Sequence, residues 1–110
     1  MSAHYELKTA ANDQFMFNLK AANGEIILTS ETYKSKDAAL NGIDSVKKNS
    51  PHDEQFERKK STSSQPFFLL KAKNHEVIGR SEAYSSGGAM EKGIESVKKN
   101  GPVATINDIT

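Results

Sequence analysis

The chain repeats itself. Displaced by 51 residues it aligns with itself without a gap, 5–55 falling on 56–106, and 23 of the 51 pairs are identical. FNLKAANGEIILTSETY at 17–33 returns as FLLKAKNHEVIGRSEAY at 68–84, and GIDSVKKNSP at 42–51 returns as GIESVKKNGP at 93–102. A single offset held over nearly the whole chain limits the fold more than composition does. Two copies are too few for a long solenoid, and a unit of about 50 residues is marginal alone. The expectation is one domain over 1–110, built of repeats 5–55 and 56–106 that share a core about a pseudo-twofold axis. Leu, Ile, Val and Phe make up only 22 of the 110 residues. That is enough for one modest core and not for two.

Within a repeat the hydrophobic period changes once. Tyr5 and Leu7 alternate with Glu6 and Lys8, and Phe15, Phe17 and Leu19 alternate with Met16, Asn18 and Lys20. Period two marks half-buried strands. Asn23-Gly24 is a strong hairpin signal because both residues tolerate positive φ. Its second-copy counterpart, Asn74-His75, fits that turn less readily and points to a different or looser loop. A third strand follows at 26–29 and 77–80. Ser35 and Ser86 are N-cap candidates. Behind them Ala38, Ala39, Gly42, Ile43 and Val46, with Ala89, Met90, Gly93, Ile94 and Val97, form stripes of helical period. Lys47, Lys48, Lys98 and Lys99 suit the helix C-termini. Gly42 and Gly93 lie on the packed stripe, where a close approach of helix to sheet is expected. The residues after each helix, at 52–55 and 103–106, read as a short closing strand. The fold class is therefore α+β: tandem β-β-β-α-β repeats forming one antiparallel sheet with two helices on one face.

The doubled pattern xLKAxNxExI, then SExY, then GIxSVKKN(S/G)P resembles the YegP-like family (DUF1508, UPF0339), and within it the two-repeat bacterial type. The likeness runs from Tyr5 to about Ile106. It implies one sheet with exchanged C-terminal strands, and it brings no catalytic residues with it. The chain departs from its own repeat at Gly79-Arg80 against Leu28-Thr29 and at Gly87-Gly88 against Lys36-Asp37. Any function that needs two equivalent sites is weakened by those departures.

Several chemistries drop out. The chain has no cysteine, hence no disulfide, thiol nucleophile or thiolate metal site. The first residues form no apolar leader, and the longest strongly apolar run, 67–70, is far short of the about 20 residues of a membrane helix. No membrane partner is expected, and the cytoplasm is the expected location. Net charge is only +1, so a nucleic-acid footprint would have to come from a one-sided patch. His4, His52 and His75 are scattered, and none recurs in the other copy. No metal or cofactor site is expected. Glu25/Glu76, Glu31/Glu82 and Asp44/Glu95 recur, but paired carboxylates need a pocket that separates their pKa values. No catalytic residue is nominated, because no base, nucleophile and orienting group come together. Gly87-Gly88 before a helix is not a phosphate loop.

What remains is a surface. If one sheet face is open, Met16, Asn18, Lys20, Phe67, Leu69 and Lys71 line it, and Phe67 and Leu69 are unusual residues for a bare surface. The expectation is a small non-enzymatic interaction module, a monomer or weak homo-oligomer, whose partner is a protein. A weak single-stranded nucleic-acid binder is the alternative, because eight lysines recur as four pairs: Lys8/Lys59, Lys20/Lys71, Lys47/Lys98 and Lys48/Lys99. An enzyme that uses the recurring carboxylates comes last.

Overall fold

The computed structural model describes residues 2–110. The first repeat supplies β1 (His4–Thr9), β2 (Phe15–Lys20), β3 (Ile26–Thr29) and α1 (Lys36–Asn49). The second supplies β4 (Phe56–Lys60), β5 (Pro66–Lys71), β6 (Val77–Arg80), α2 (Gly87–Asn100) and β7 (Thr105–Asp108). All seven strands form one sheet in the order β4-β5-β6-β3-β2-β1-β7. The repeats meet at its centre, where Thr29 of β3 faces its own counterpart Arg80 of β6. The two helices lie on one face, as the tandem β-β-β-α pattern requires.

The local signals act as read. Ser35 Oγ accepts from the N–H of Ala38, and Ser86 Oγ from that of Ala89, both at 3.1 Å. Phe17, Leu19, Phe68 and Leu70 point at the helices and are fully buried, together with Tyr5, Leu7, Leu28, Ile94, Val46 and Val97. A β-bulge follows Leu19 and another follows Leu70. Each inserts one extra residue in the neighbouring strand. This lets Ile27 and Leu28 be buried in succession, as Ile78 and Gly79 are in the second repeat.

Three details differ from the sequence expectation. The sheet is antiparallel except at one edge, where β7 runs parallel to β1, with Tyr5 beside Ile106 and Leu7 beside Asp108. This is the exchanged strand: the second repeat closes the edge of the first. The first repeat has no equivalent strand at 52–55, and Asp53–Gln55 is a 3-10 turn instead. Only five residues separate Ser50 from Phe56, so the chain must enter β4 at once. Gln55 ties the turn down by donating to the Lys71 carbonyl at 2.9 Å and to Asn49 Oδ1 at 3.3 Å. Finally, Asn74-His75 builds the same turn as Asn23-Gly24. His75 has φ 72 and Gly24 φ 86. Each asparagine Oδ1 accepts from the N–H two residues on, Glu25 at 3.0 Å and Glu76 at 3.1 Å. These bonds hold His75 in the left-handed region despite its side chain.

The helix glycines mark contact with the sheet. A Cβ on Gly42 would strike the Tyr33 hydroxyl and lie 2.7 Å from Tyr33 Cζ, and Gly93 meets Tyr84 in the same way. Each tyrosine is pinned from behind, stacked at 6.2 Å on Phe17 or Phe68. An exposed helical Gly→Ala change gains about 1 kcal/mol. Here Gly42→Ala and Gly93→Ala are each expected to lose about 1–3 kcal/mol through overpacking, read from urea denaturation. A gain in either variant would show that the rings yield and that the close approach is incidental.

Candidate interaction face of the sheet

Alternation along the strands divides the sheet. Odd residues of β2 and even residues of β5 enter the core, and their neighbours face away from both helices. That second face carries Met16, Asn18 and Lys20 from β2 and Phe67, Leu69 and Lys71 from β5, so all six residues nominated from sequence share one surface. Pairing puts two of them, Leu69 and Asn18, in one row across the sheet. Glu57, Leu69, Arg80, Thr29, Asn18, Glu6 and Asn107 lie side by side across the seven strands. Met16 lies beside Lys8, and Phe67 beside Lys59.

The face is not uniform. Met16, Lys20, Phe67, Leu69 and Lys71 are half-buried. Asn18 is only 2 % exposed. It is paired with Glu6 and Thr29 on the adjacent strands, and at that burial Asn18 belongs to the support of the face and not to its contact surface. Sequence reading also missed Arg80. Its guanidinium lies over the Phe67 ring, 5.3 Å from the centroid, a cation–π contact that holds both groups in place. The signal was present in the sequence, since Arg80 is the exception to its counterpart Thr29. The pairing of β5 with β6 is what brings it to Phe67.

Charge on this face is partly neutralised. Lys20 bonds Glu6 at 3.0 Å, and Lys71 pairs with Glu57 at 2.5 Å. The hydrogen bond from each lysine holds its carboxyl below the usual range. Lys8 and Arg80 have no ion pair among the described residues. Across the paired strands, five cations (Lys8, Lys20, Lys59, Lys71, Arg80) oppose two carboxylates (Glu6, Glu57), an excess of three positive charges.

The other nominated groups stay apart. His4 is on β1, His52 precedes the 3-10 turn and His75 is in the hairpin. No group of three His, Cys, Asp or Glu able to hold a metal ion occurs among the described residues. Glu82, Tyr84 and the other repeat's Glu25 do line an open groove of about 480 Å³. Burial, reinforced by Glu82 and Glu25, raises the Tyr84 phenol above its ordinary value, and burial with Glu31 and Glu76 does the same for Tyr33. Both phenols therefore stay protonated near neutral pH. Asp44 lies on α1, and Glu95 lies on α2, where it lines a separate groove with Asn23. Among the described residues no helix is long and apolar enough to cross a membrane.

Comparison with known proteins agrees with this architecture. The family described as "Domain of unknown function (DUF1508)" matches twice, at residues 10–57 and 61–108. UPF0339 protein YegP of Yersinia pestis is 59% identical over 107 residues, 97% of this chain and 96% of its own. The YegP protein of Escherichia coli K12 is 47% identical over 110 residues, the full length of both. The solution NMR structure of a UPF0339 protein from Shewanella oneidensis superposes with a TM-score of 0.93 at 51% identity, covering 100% of this chain and 93% of that one. The double match, one per repeat, together with a shared fold over the full chain, shows that this protein belongs to the DUF1508 (UPF0339) family.

Proposed function

We propose that the protein is a non-enzymatic interaction module that holds a protein partner on the helix-free face of its sheet. One observation carries this reading: Phe67 and Leu69, two residues apart on β5, are half-buried apolar side chains on the helix-free face, and the Arg80 guanidinium lies over the Phe67 ring. A few fixed aromatic and arginine anchors supply most of the energy of typical protein interfaces. The test is site-specific photo-crosslinking in host lysate, with the photoreactive residue at position 69 and a control on the exposed surface of α1. Products specific to position 69 that are lost on Phe67→Ala support the reading. Equal products from both positions overturn it.

A second reading rests on the same stack and the positive excess. Aromatic and cationic groups on an open sheet are one means of holding single strands. A stacked base is worth about 1–3 kcal/mol. Phe67→Ala is then expected to weaken binding of a labelled oligouridine about 5- to 100-fold, measured by anisotropy at low salt. The affinity should also fall steeply as salt is raised, because phosphate contacts release counterions. No binding at low salt ends this second reading and leaves the first standing.

A further inference from the structure

We propose that the outer edge of β4 is a docking site for an extended acidic peptide, which adds to the sheet parallel to β4 as β7 adds to β1. The 51-residue equivalence puts Phe56, Glu57 and Arg58 where the first repeat has Tyr5, Glu6 and Leu7. The outer edge of β1 is filled by the chain itself. There β7 runs in parallel register, the Ile109 N–H donates to the Leu7 carbonyl at 2.9 Å, and Asp108 pairs with Lys36 at the start of α1 at 3.0 Å. The same slot beside β4 is vacant, for β4 pairs only with β5. The equivalents of β7, residues 54–57, are used by the end of the 3-10 turn and the start of β4 itself.

The vacancy has shape and charge. An open groove of about 540 Å³ lies along the end of β4, lined by Arg58, Lys59 and Lys60 with Pro66, Ser86 and Met90, and no carboxylate lines it. Where Lys36-Asp37 opens α1, Gly87-Gly88 opens α2, without an acid in its first turn. Arg58 is committed to Glu91 at 2.6 Å and to Asp53 at 2.9 Å. Lys60 has no ion pair among the described residues. Because the Leu7 carbonyl faces β7, strand geometry turns the N–H and C=O of Phe56, Arg58 and Lys60 outward, while Glu57 and Lys59 bond to β5. An incoming strand thus finds backbone partners at every second residue and, at its end, the unpaired Lys60 next to Lys59, whose Nζ lies 3.8 Å from Glu57. The same cations oppose pairing of two copies through this edge. The occupant indicated is therefore an acidic segment of another protein and not a second copy.

The register of β7 specifies a probe. A synthetic peptide with the sequence of residues 104–110, carrying Ile109→Glu and Thr110→Asp, places acids opposite Arg58, Lys59 and Lys60. It is titrated into the ¹⁵N-labelled full-length protein beside a second peptide with lysine at those three positions. Amide shifts are expected at Arg58, Lys60 and the start of α2. The lysine peptide, and the protein variant Lys60→Glu, should each bind at least about tenfold more weakly, as expected for desolvated charge contacts. Lys60 is exposed, and unchanged β5 amides verify that the variant remains folded. The proposal is overturned by an absence of shifts at about millimolar peptide, by equal binding of the lysine peptide, or by shifts confined to β1 and β7.

Discussion

Gly79→Leu is expected to unfold the protein at temperatures where the parent chain is stable, and adding Leu28→Gly is expected to restore it. The two positions are equivalent under the 51-residue repeat, and both lie in the central strands. A Cβ on Gly79 would fall 2.7 Å from Leu28 Cγ and 2.8 Å from Leu28 Cδ2. Leu28 is fully buried, so it has no free space to retreat into. One leucine fills the space at the axis and two do not fit. Overpacking by single methylenes costs about 1–3 kcal/mol, and an isobutyl group against a sheet costs more. For a domain of this size, about 3 kcal/mol corresponds to roughly 12–20 °C in Tm. Leu28→Gly alone leaves the converse defect, a cavity worth at least the about 2–5 kcal/mol of a leucine truncation. The exchanged pair keeps the volume and moves the leucine to the other side of the axis. Thermal unfolding followed by circular dichroism reads all four chains. If the double variant is as unstable as the sum of the singles, the two side chains do not share one space.

This pair shows where the sequence was legible and where it was not. The repeat, the strand alternation and the serine caps depend on neighbours in sequence, so they could be read directly. The departure of Gly79-Arg80 from Leu28-Thr29 could be read only as lost equivalence. Its cause is a contact between residues 51 positions apart, and it appears only when β3 and β6 are placed side by side. Equivalent residues at a twofold axis compete for one space, so a duplicated chain gains by letting them diverge there. Arg80 was missed from the candidate face for the same reason, since its partner Phe67 lies on the next strand. The six nominated residues do share one face because period two decides sidedness without tertiary knowledge. Period two says nothing of burial by neighbours, however, and that is why Asn18 was misjudged as a contact. The 3-10 turn at Asp53–Gln55 escaped because it depends on chain length between elements. It is held by the Lys98 bond to Asp53 at 2.6 Å and by Arg58, which together pull the Asp53 carboxyl down to about 2.

A second pair on the axis carries the other large expected effect. Ser50 and Gly101 are equivalents that follow α1 and α2, and they meet. A Cβ on Gly101 would strike Ser50 Oγ and lie 2.9 Å from Ser50 Cβ and 2.8 Å from the Val97 carbonyl. Gly101 has φ −53, so its backbone needs no glycine and the requirement is purely steric. The Gly101 carbonyl also accepts from the Tyr5 hydroxyl at 2.6 Å. That bond has no counterpart in the second repeat, where Phe56 replaces the tyrosine. Gly101→Ser therefore pushes on Ser50 and on the Tyr5 bond together. A loss of about 2–4 kcal/mol is expected in urea denaturation, combining overpacking with a strained buried hydrogen bond. Adding Ser50→Gly should recover most of it, because the axis again holds one hydroxyl. Ser50→Ala alone separates packing from polarity. Ser50 Oγ is buried without a hydrogen-bond partner, so removing it should be neutral or stabilising by up to about 1 kcal/mol. If Ser50→Ala instead destabilises by more than that, the hydroxyl has a partner, and the crowding at Gly101 cannot be the main reason that the two repeats differ there.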